Sequence, residues 1–304
     1  MASELKLGMV GADTSHCLNF ARRLHRKDIE EAHYVDGAHI TVMYPFDSGI
    51  KEAETVEKDV AELRDVHHIK MVDSVQAVIE DGVDGVLIET VDGTRHLEQT
   101  MPFLEAKIPS YVDKPFTCSV DEAKTMVELA ESNGVPLFSS SSLRFTDEIQ
   151  GILAERESIG RFLQVHACSP SPQFPINPGL FWYGIHGIEI LYTLIGTGCK
   201  TVQCLPGSTH ELNIGRWEGG RIGTMTGIYE HTCPYGAVVH GEKQSQSITA
   251  NIDNLYSSLL RAIVPFFKSG QSPVDPRETL EIMAFIEAAY RSRENGGKEM
   301  PLRV

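Results

Sequence analysis

Short apolar runs alternate with helically spaced segments through the first half of the chain. Leu5 to Val10, His39 to Tyr44, Val83 to Thr90, Pro109 to Val112 and Val135 to Phe138 read as strands. Ser15 to about Arg26, the stretch around Val75 to Ile79, Thr94 to Lys107 and Val120 to Asn133 carry helical spacing. The last of these starts well, with Ser119 as a cap and Asp121 and Glu122 in its first turn. Strand, helix, strand order predicts parallel crossover units, and their succession predicts a doubly wound sheet with helices on both faces.

From about residue 141 the rhythm changes. One helix, Thr146 to Glu157, leads to a strand from Phe162 to His166, a loop rich in proline and serine from Ser169 to Pro175, and a helix around His186 to Ile195. Strand-like runs then follow without intervening helices, at Thr201 to Leu205, Arg221 to Tyr229, Gly236 to His240 and Gln246 to Ala250, which predicts an antiparallel sheet. A final helix runs from about Pro276 to Arg293. The pattern divides the chain into residues 1–140 and residues 141–304. The expected class is α/β, with a doubly wound parallel sheet followed by a second α/β domain.

Composition narrows the partners. The 304 residues are 41% hydrophobic and 23% charged, as in ordinary soluble proteins. A formal net charge of -15 argues against nucleic acid and against an anionic membrane surface. No run approaches the roughly 20 apolar residues that span a bilayer, and Met1 to Lys6 lacks the basic start and apolar core of an export signal, so a cytoplasmic location is expected. The six cysteines show neither a C-x-x-C pair nor a zinc spacing and read as reduced, mostly buried thiols.

The candidate chemistry sits at strand ends. Tyr111-Val112-Asp113-Lys114-Pro115-Phe116 delivers a lysine where the chain leaves the sheet, and ligands of open parallel sheets collect at such carboxyl ends. A solvated loop lysine is the competing reading. After the first strand, Gly8-Met9-Val10-Gly11-Ala12-Asp13-Thr14-Ser15-His16 is a degenerate form of the phosphate-binding G-x-G-x-x-G. Gly11 takes its first position, Asp13 its second and His16 its third. Thr14, Ser15 and the free backbone N–H groups remain as donors. At the end of the second strand Tyr44 replaces the usual ribose-binding carboxylate, with Asp47 as a stand-in and Lys51 as a candidate for a 2'-phosphate.

Taken together, these segments resemble the Gfo/Idh/MocA oxidoreductases, the glucose-fructose oxidoreductase and inositol dehydrogenase family. The matching residues are the Gly8 to Gly11 start, Thr90-Val91-Asp92-Gly93-Thr94-Arg95-His96 for T-P-N-x-x-H, Asp113-Lys114-Pro115 for E-K-P, Ser142-Leu143-Arg144-Phe145, and Gly184-Ile185-His186 for G-x-H. The resemblance covers essentially the whole chain. It implies a Rossmann domain and a second domain on an open, mainly antiparallel sheet, with NAD or NADP as cofactor. It also implies a sugar or cyclitol as substrate and a homo-oligomer, dimer or tetramer. By the same resemblance, Lys114 and His186 face the substrate alcohol, Thr90, Asp92, His96 and Lys114 belong to the cofactor site, and Arg144 lies near substrate. The family's aspartate four positions before the histidine is Trp182 here.

Oxidising a carbinol requires a group that accepts the hydroxyl proton, which casts His186 as base and Lys114 as the cation that orients and polarises the oxygen. Trp182 and Tyr183 offer an aromatic platform for a sugar ring, with helix packing as the alternative. No metal is expected, because His16, His96 and His186 carry no ligand spacing. His67-His68 reads as solvated, and Cys17 and Cys118 as packing. Three classes stay open: a carbohydrate dehydrogenase or reductase, a lyase or epimerase that holds its cofactor tightly, and a binding member of the fold without turnover.

Overall fold

The computed structural model describes residues 4–174, 176–177, 179–230 and 232–304, and the chain divides into two compact units. The first unit is built on six strands: β1 (Leu5–Val10), β2 (Ala38–Tyr44), β3 (Lys70–Met71), β4 (Gly85–Ile88), β5 (Ser110–Val112) and β6 (Leu137–Ser139). Their order is β3-β2-β1-β4-β5-β6, and every neighbouring pair is parallel. The helices α1 (Ser15–Leu24), α2 (Ala53–Asp65), α3 (Val75–Glu80), α4 (His96–Glu105) and α5 (Val120–Asn133) alternate with them. Strand order reverses between β1 and β4, so a crevice opens beyond their carboxyl ends.

The register makes this edge level. Val10 pairs with Ile88, and Ile88 with Val112. The next residue of each strand, namely Gly11, Glu89 and Asp113, therefore emerges on one line.

Two elements of this unit escape the hydrophobic pattern. Helix α2 is mostly charged and buries only Val56 and Leu63, and β3 is two residues long. His67, expected in solvent, is buried at the end of α2, whereas His68 is exposed.

The second unit holds β7 (Phe162–Pro170), β8 (Cys199–Pro206), β9 (His210–Trp217), β10 (Ile222–Ile228), β11 (Gly236–Gly241), β12 (Ser245–Thr249) and β13 (Met300–Pro301). They form one sheet ordered β12-β11-β7-β10-β9-β8-β13. Its pairs are antiparallel except β7 with β10, which run parallel. Strand β7 continues to Pro170, into the expected proline-rich loop; Pro175 of that loop lies outside the described residues. After α6 (Asp147–Ala154), α7 (Arg156–Ile159) and α8 (Ile185–Ile195), the chain ends in α9 (Leu255–Ser269) and α10 (Pro276–Glu294).

Helix α9 corrects the expected division at residue 140. Residues 256–276 return to the first unit. There the Phe266 ring lies 5.4 Å from Phe138, and the Phe267 ring fills the space beside Gly85.

Candidate active site

At the mouth of the first sheet Gly11 occupies a conformation only glycine takes easily. Its φ is 108°, and a Cβ there would stand 2.4 Å from the Thr90 amide nitrogen. The β1–α1 turn thus runs hard against β4, as a phosphate-binding turn requires. Gly8, expected to serve the cofactor, lies inside β1, where a Cβ would press to 2.5 Å from Val78. It serves packing against α3.

Asp13 turns its carboxylate away from the head of α1. One oxygen accepts from the Val91 amide at 2.9 Å; the other accepts from the Ser48 amide at 3.0 Å and from the Ser48 hydroxyl. The negative charge is therefore taken up by donors of neighbouring loops. Thr14, the N-cap residue of α1, makes no side-chain cap bond, so α1 presents N–H groups without a side-chain acceptor. Ser15 shares a 2.8 Å hydrogen bond with the Tyr256 hydroxyl.

His16 occupies the third fingerprint position as a buried ring stacked on Phe20. Its Nδ1 lies 3.2 Å from an oxygen of Glu89 and 3.2 Å from an oxygen of Asp113. Burial alone would lower its pKa, but Asp113 and then Glu89 outweigh it and raise the ring to about 10. Burial lifts the Glu89 carboxyl to about 8, against the pull of His16. Asp113 moves the other way: despite burial, His16 and Lys114 hold it below the ordinary carboxylate range. Glu89 and Asp113 are absent from the sequence-based site. Their signal was there, since each is an acid that directly follows a buried apolar run.

Other expected cofactor residues are placed as follows. Thr90 is fully buried, and its hydroxyl has no hydrogen-bond partner among the described residues. Asp92 caps the short turn Gly93–Arg95 through the Thr94 amide and hydroxyl. His96 is fully buried, with Nε2 2.7 Å from the Thr90 carbonyl oxygen and Nδ1 2.9 Å from that of Pro115. The ring thus staples two strand-end loops together. Tyr44 lies edge-on to Phe46 at 6.0 Å. Asp47 accepts from the Gly49 amide and Lys51 pairs with Asp59 at 2.6 Å, so both stand-ins are engaged locally. Lys114 is half-buried, joined to Pro115 by a cis peptide bond, and close enough to act electrostatically on Glu89 and Asp113.

In the second unit a single π-helical turn, Leu180–Gly184, precedes α8. Gly184 N–H donates to the Gly179 carbonyl, and Gly179 has a positive φ of 44°. This widened turn delivers Trp182 and Tyr183 just before His186. Rings follow one another through Phe174, Trp182, Tyr183, His186 and Tyr235, each 4.9 to 5.8 Å from the next. His186 keeps 8% of its exposure, and its Nδ1 lies 2.7 Å from Ser141 Oγ. Arg144, expected beside substrate, pairs with the buried Glu189 and the half-buried Glu278. It reaches Glu189 at 2.6 Å and Glu278 at 2.7 Å, and it retains 7% exposure. Burial pushes the Glu189 carboxyl up although Arg144 pulls it down.

Residues 5–141 match the model of the GFO_IDH_MocA group, described as an oxidoreductase family with an NAD-binding Rossmann fold. This segment belongs to the Gfo/Idh/MocA family. Solved structures extend the likeness in fold over both units of the chain. A myo-inositol 2-dehydrogenase from Lactobacillus plantarum superposes with a TM-score of 0.81 at 14% identity, covering 99% of this chain and 100% of the other. GenD2 from gentamicin A biosynthesis, solved with NAD, gives 0.80 at 15% identity over 100% and 98%. An apo scyllo-inositol dehydrogenase from Lactobacillus casei gives 0.79 at 13% over 99% and 98%. At these identities the likeness shows the fold. The comparison with curated proteins gives no match.

NAD is the cofactor of this Rossmann family. The residues present fit its phosphates: Gly11 allows the close turn, α1 offers uncapped N–H groups, and Asp13 is already satisfied by other donors. The buried Thr90 hydroxyl, without a hydrogen-bond partner among the described residues, is a further donor at the same strand ends. Among the described residues no helix is long and apolar enough to cross a membrane.

Proposed function

We propose that the chain is an NAD(P)-dependent oxidoreductase acting on a CH–OH group of a sugar, sugar derivative or cyclitol. The observation that carries this reading is His186, a nearly buried imidazole held at Nδ1 by Ser141 within a run of aromatic rings. A ring fixed in that way is prepared to take a proton from a hydroxyl at one defined place. A nicotinamide cofactor, when bound, would supply the hydride acceptor for the carbinol carbon.

The chain's own residues do the rest. Lys114 polarises the alcohol oxygen, His186 accepts its proton, and Trp182 and Tyr183 stack on the apolar face of a ring-shaped substrate. Thr14 and Ser15 amides at the head of α1, with Thr90, hold the dinucleotide. The same reading includes assembly of the chain into a dimer or tetramer.

The first test is titration with NADH and NADPH by nicotinamide fluorescence, followed by a screen of sugars and cyclitols with H186N and K114M as controls. Saturable cofactor binding, with turnover lost in both variants and melting temperatures unchanged, is expected. No binding at millimolar cofactor overturns the reading and leaves a member of the fold without hydride chemistry.

A further inference from the structure

The cluster at His16 asks for something its own atoms do not supply. His16 Nδ1, one oxygen of Glu89 and one of Asp113 all lie within 4.8 Å of one another. Nδ1 is 3.2 Å from each oxygen. A single N–H cannot point well at both acceptors at once. Glu89 and Asp113 are each 0% exposed, and Glu89 Oε1 and Asp113 Oδ2 have no hydrogen-bond partner among the described residues. Buried carboxylate oxygens left unpaired are costly, and in native proteins they call for a water, a proton or an ion.

The spacing suits an ion. Donor atoms bonded at about 2.0 to 2.2 Å to one divalent cation sit roughly 3 to 3.5 Å apart around it. The nitrogen-to-oxygen distances here fall in that range. The donor set, one imidazole and two carboxylates, favours a first-row transition ion, since magnesium and calcium prefer oxygen alone. Binding a doubly charged ion displaces the protons of the cluster and lets the two carboxylates balance the ion in a buried place, where unpaired charge is penalised most.

Each ligand comes from a different structural position: the first turn of α1, the end of β4 and the end of β5. The register that makes β1, β4 and β5 level brings them together. No spacing motif could reveal the set, because 73 positions separate His16 from Glu89.

We propose that His16, Glu89 and Asp113 form a binding site for a divalent transition-metal ion such as manganese or zinc. The assignment goes beyond the hydride-transfer reading and does not depend on it. It also replaces the expectation, drawn from sequence spacing, that the chain has no metal.

The test uses the full chain, stripped with a chelator and kept free of dinucleotide. Mn(II) is titrated alone and followed by electron paramagnetic resonance, and Zn(II) is titrated alone by calorimetry. One ion per chain is expected, with E89Q and D113N each weakening affinity at least about 100-fold while circular dichroism stays unchanged. The melting temperature of the wild type should rise on adding the ion, and that of E89Q should not. A chain that binds no stoichiometric ion overturns the proposal. So does binding that survives unchanged in both E89Q and D113N, which would put the ion elsewhere, for example at the more exposed Asp28, Glu62 and His67.

Discussion

Ser141 Oγ stands 2.7 Å from His186 Nδ1 while also accepting the Leu143 amide at 3.2 Å. The serine is thereby fixed by the start of the Ser142–Phe145 turn, and through it the imidazole plane is fixed as well. This makes Ser141 a positioning residue for the proposed base. In S141A the ring loses that anchor but keeps its aromatic neighbours Tyr183 and Tyr235. Turnover should drop about tenfold with KM little changed. The acidic limb of the pH profile, which reports the proposed base, should move as well, which a purely structural serine would not cause. Steady-state kinetics across pH checks this.

Arg144 carries a stability prediction through its two acidic partners. The segment aligns with a family motif near substrate, yet the guanidinium is closed in by Glu189 and Glu278. R144M strands the buried Glu189 carboxylate and the half-buried Glu278 and should cost about 3 to 5 kcal/mol of stability. Adding E189Q should recover part of the loss. Urea denaturation of the single and double variants measures both. An Arg144 that worked by touching substrate would instead show its effect in KM at unchanged stability.

Much of the architecture could be read from periodicity because strands β1, β2, β4 and β5 are bounded apolar runs and α1 and α5 carry clear helical spacing. What escaped has physical reasons. Helix α2 buries two residues and shows almost no apolar stripe, and α9 carries Pro265 within it. For the candidate site, sequence order singled out Lys114, His186 and the altered turn. It gave no role to Glu89 or to Asp113, which strand register brings together. Nor could it show the surroundings of His96 and Gly8, since neither the Pro115 carbonyl at His96 nor the Val78 side chain against Gly8 lies next to it in sequence.

His25 gives the fold a defined sensitivity to acid. Its ring stacks on His39 at 5.0 Å and meets His67 edge-on at 5.4 Å, and its Nε2 accepts the Ile40 amide at 3.1 Å. Burial first, and then the two neighbouring histidines, bring its pKa down from 6.5 to about 4. Between those values the unfolded chain binds the proton and the folded chain does not. The contribution of His25 is therefore complete above about pH 6.5 and is lost as pH falls toward 4. Because the ring is partly open to solvent, the loss should be on the order of 1 to 2 kcal/mol. Melting temperatures of wild type and H25Q across this window test it: the wild type should fall more steeply.

Gly85 and Phe267 test whether α9 is an integral part of the first unit. Gly85 opens β4, and a Cβ there would stand 2.5 Å from two atoms of the Phe267 ring. Within a strand, exchanging glycine for alanine ordinarily stabilises by about 0.5 to 1 kcal/mol. Here the added methyl must displace a buried aromatic ring, so G85A should instead destabilise by about 1 to 3 kcal/mol. In the F267L background the smaller side chain can retreat, and the same G85A change should cost distinctly less. A double-mutant cycle from chemical denaturation reads the coupling directly. Additive effects would mean that the helix does not press on β4 in solution. Strong coupling would tie residues 256–276 to the parallel sheet, more than 100 positions after the chain first leaves it.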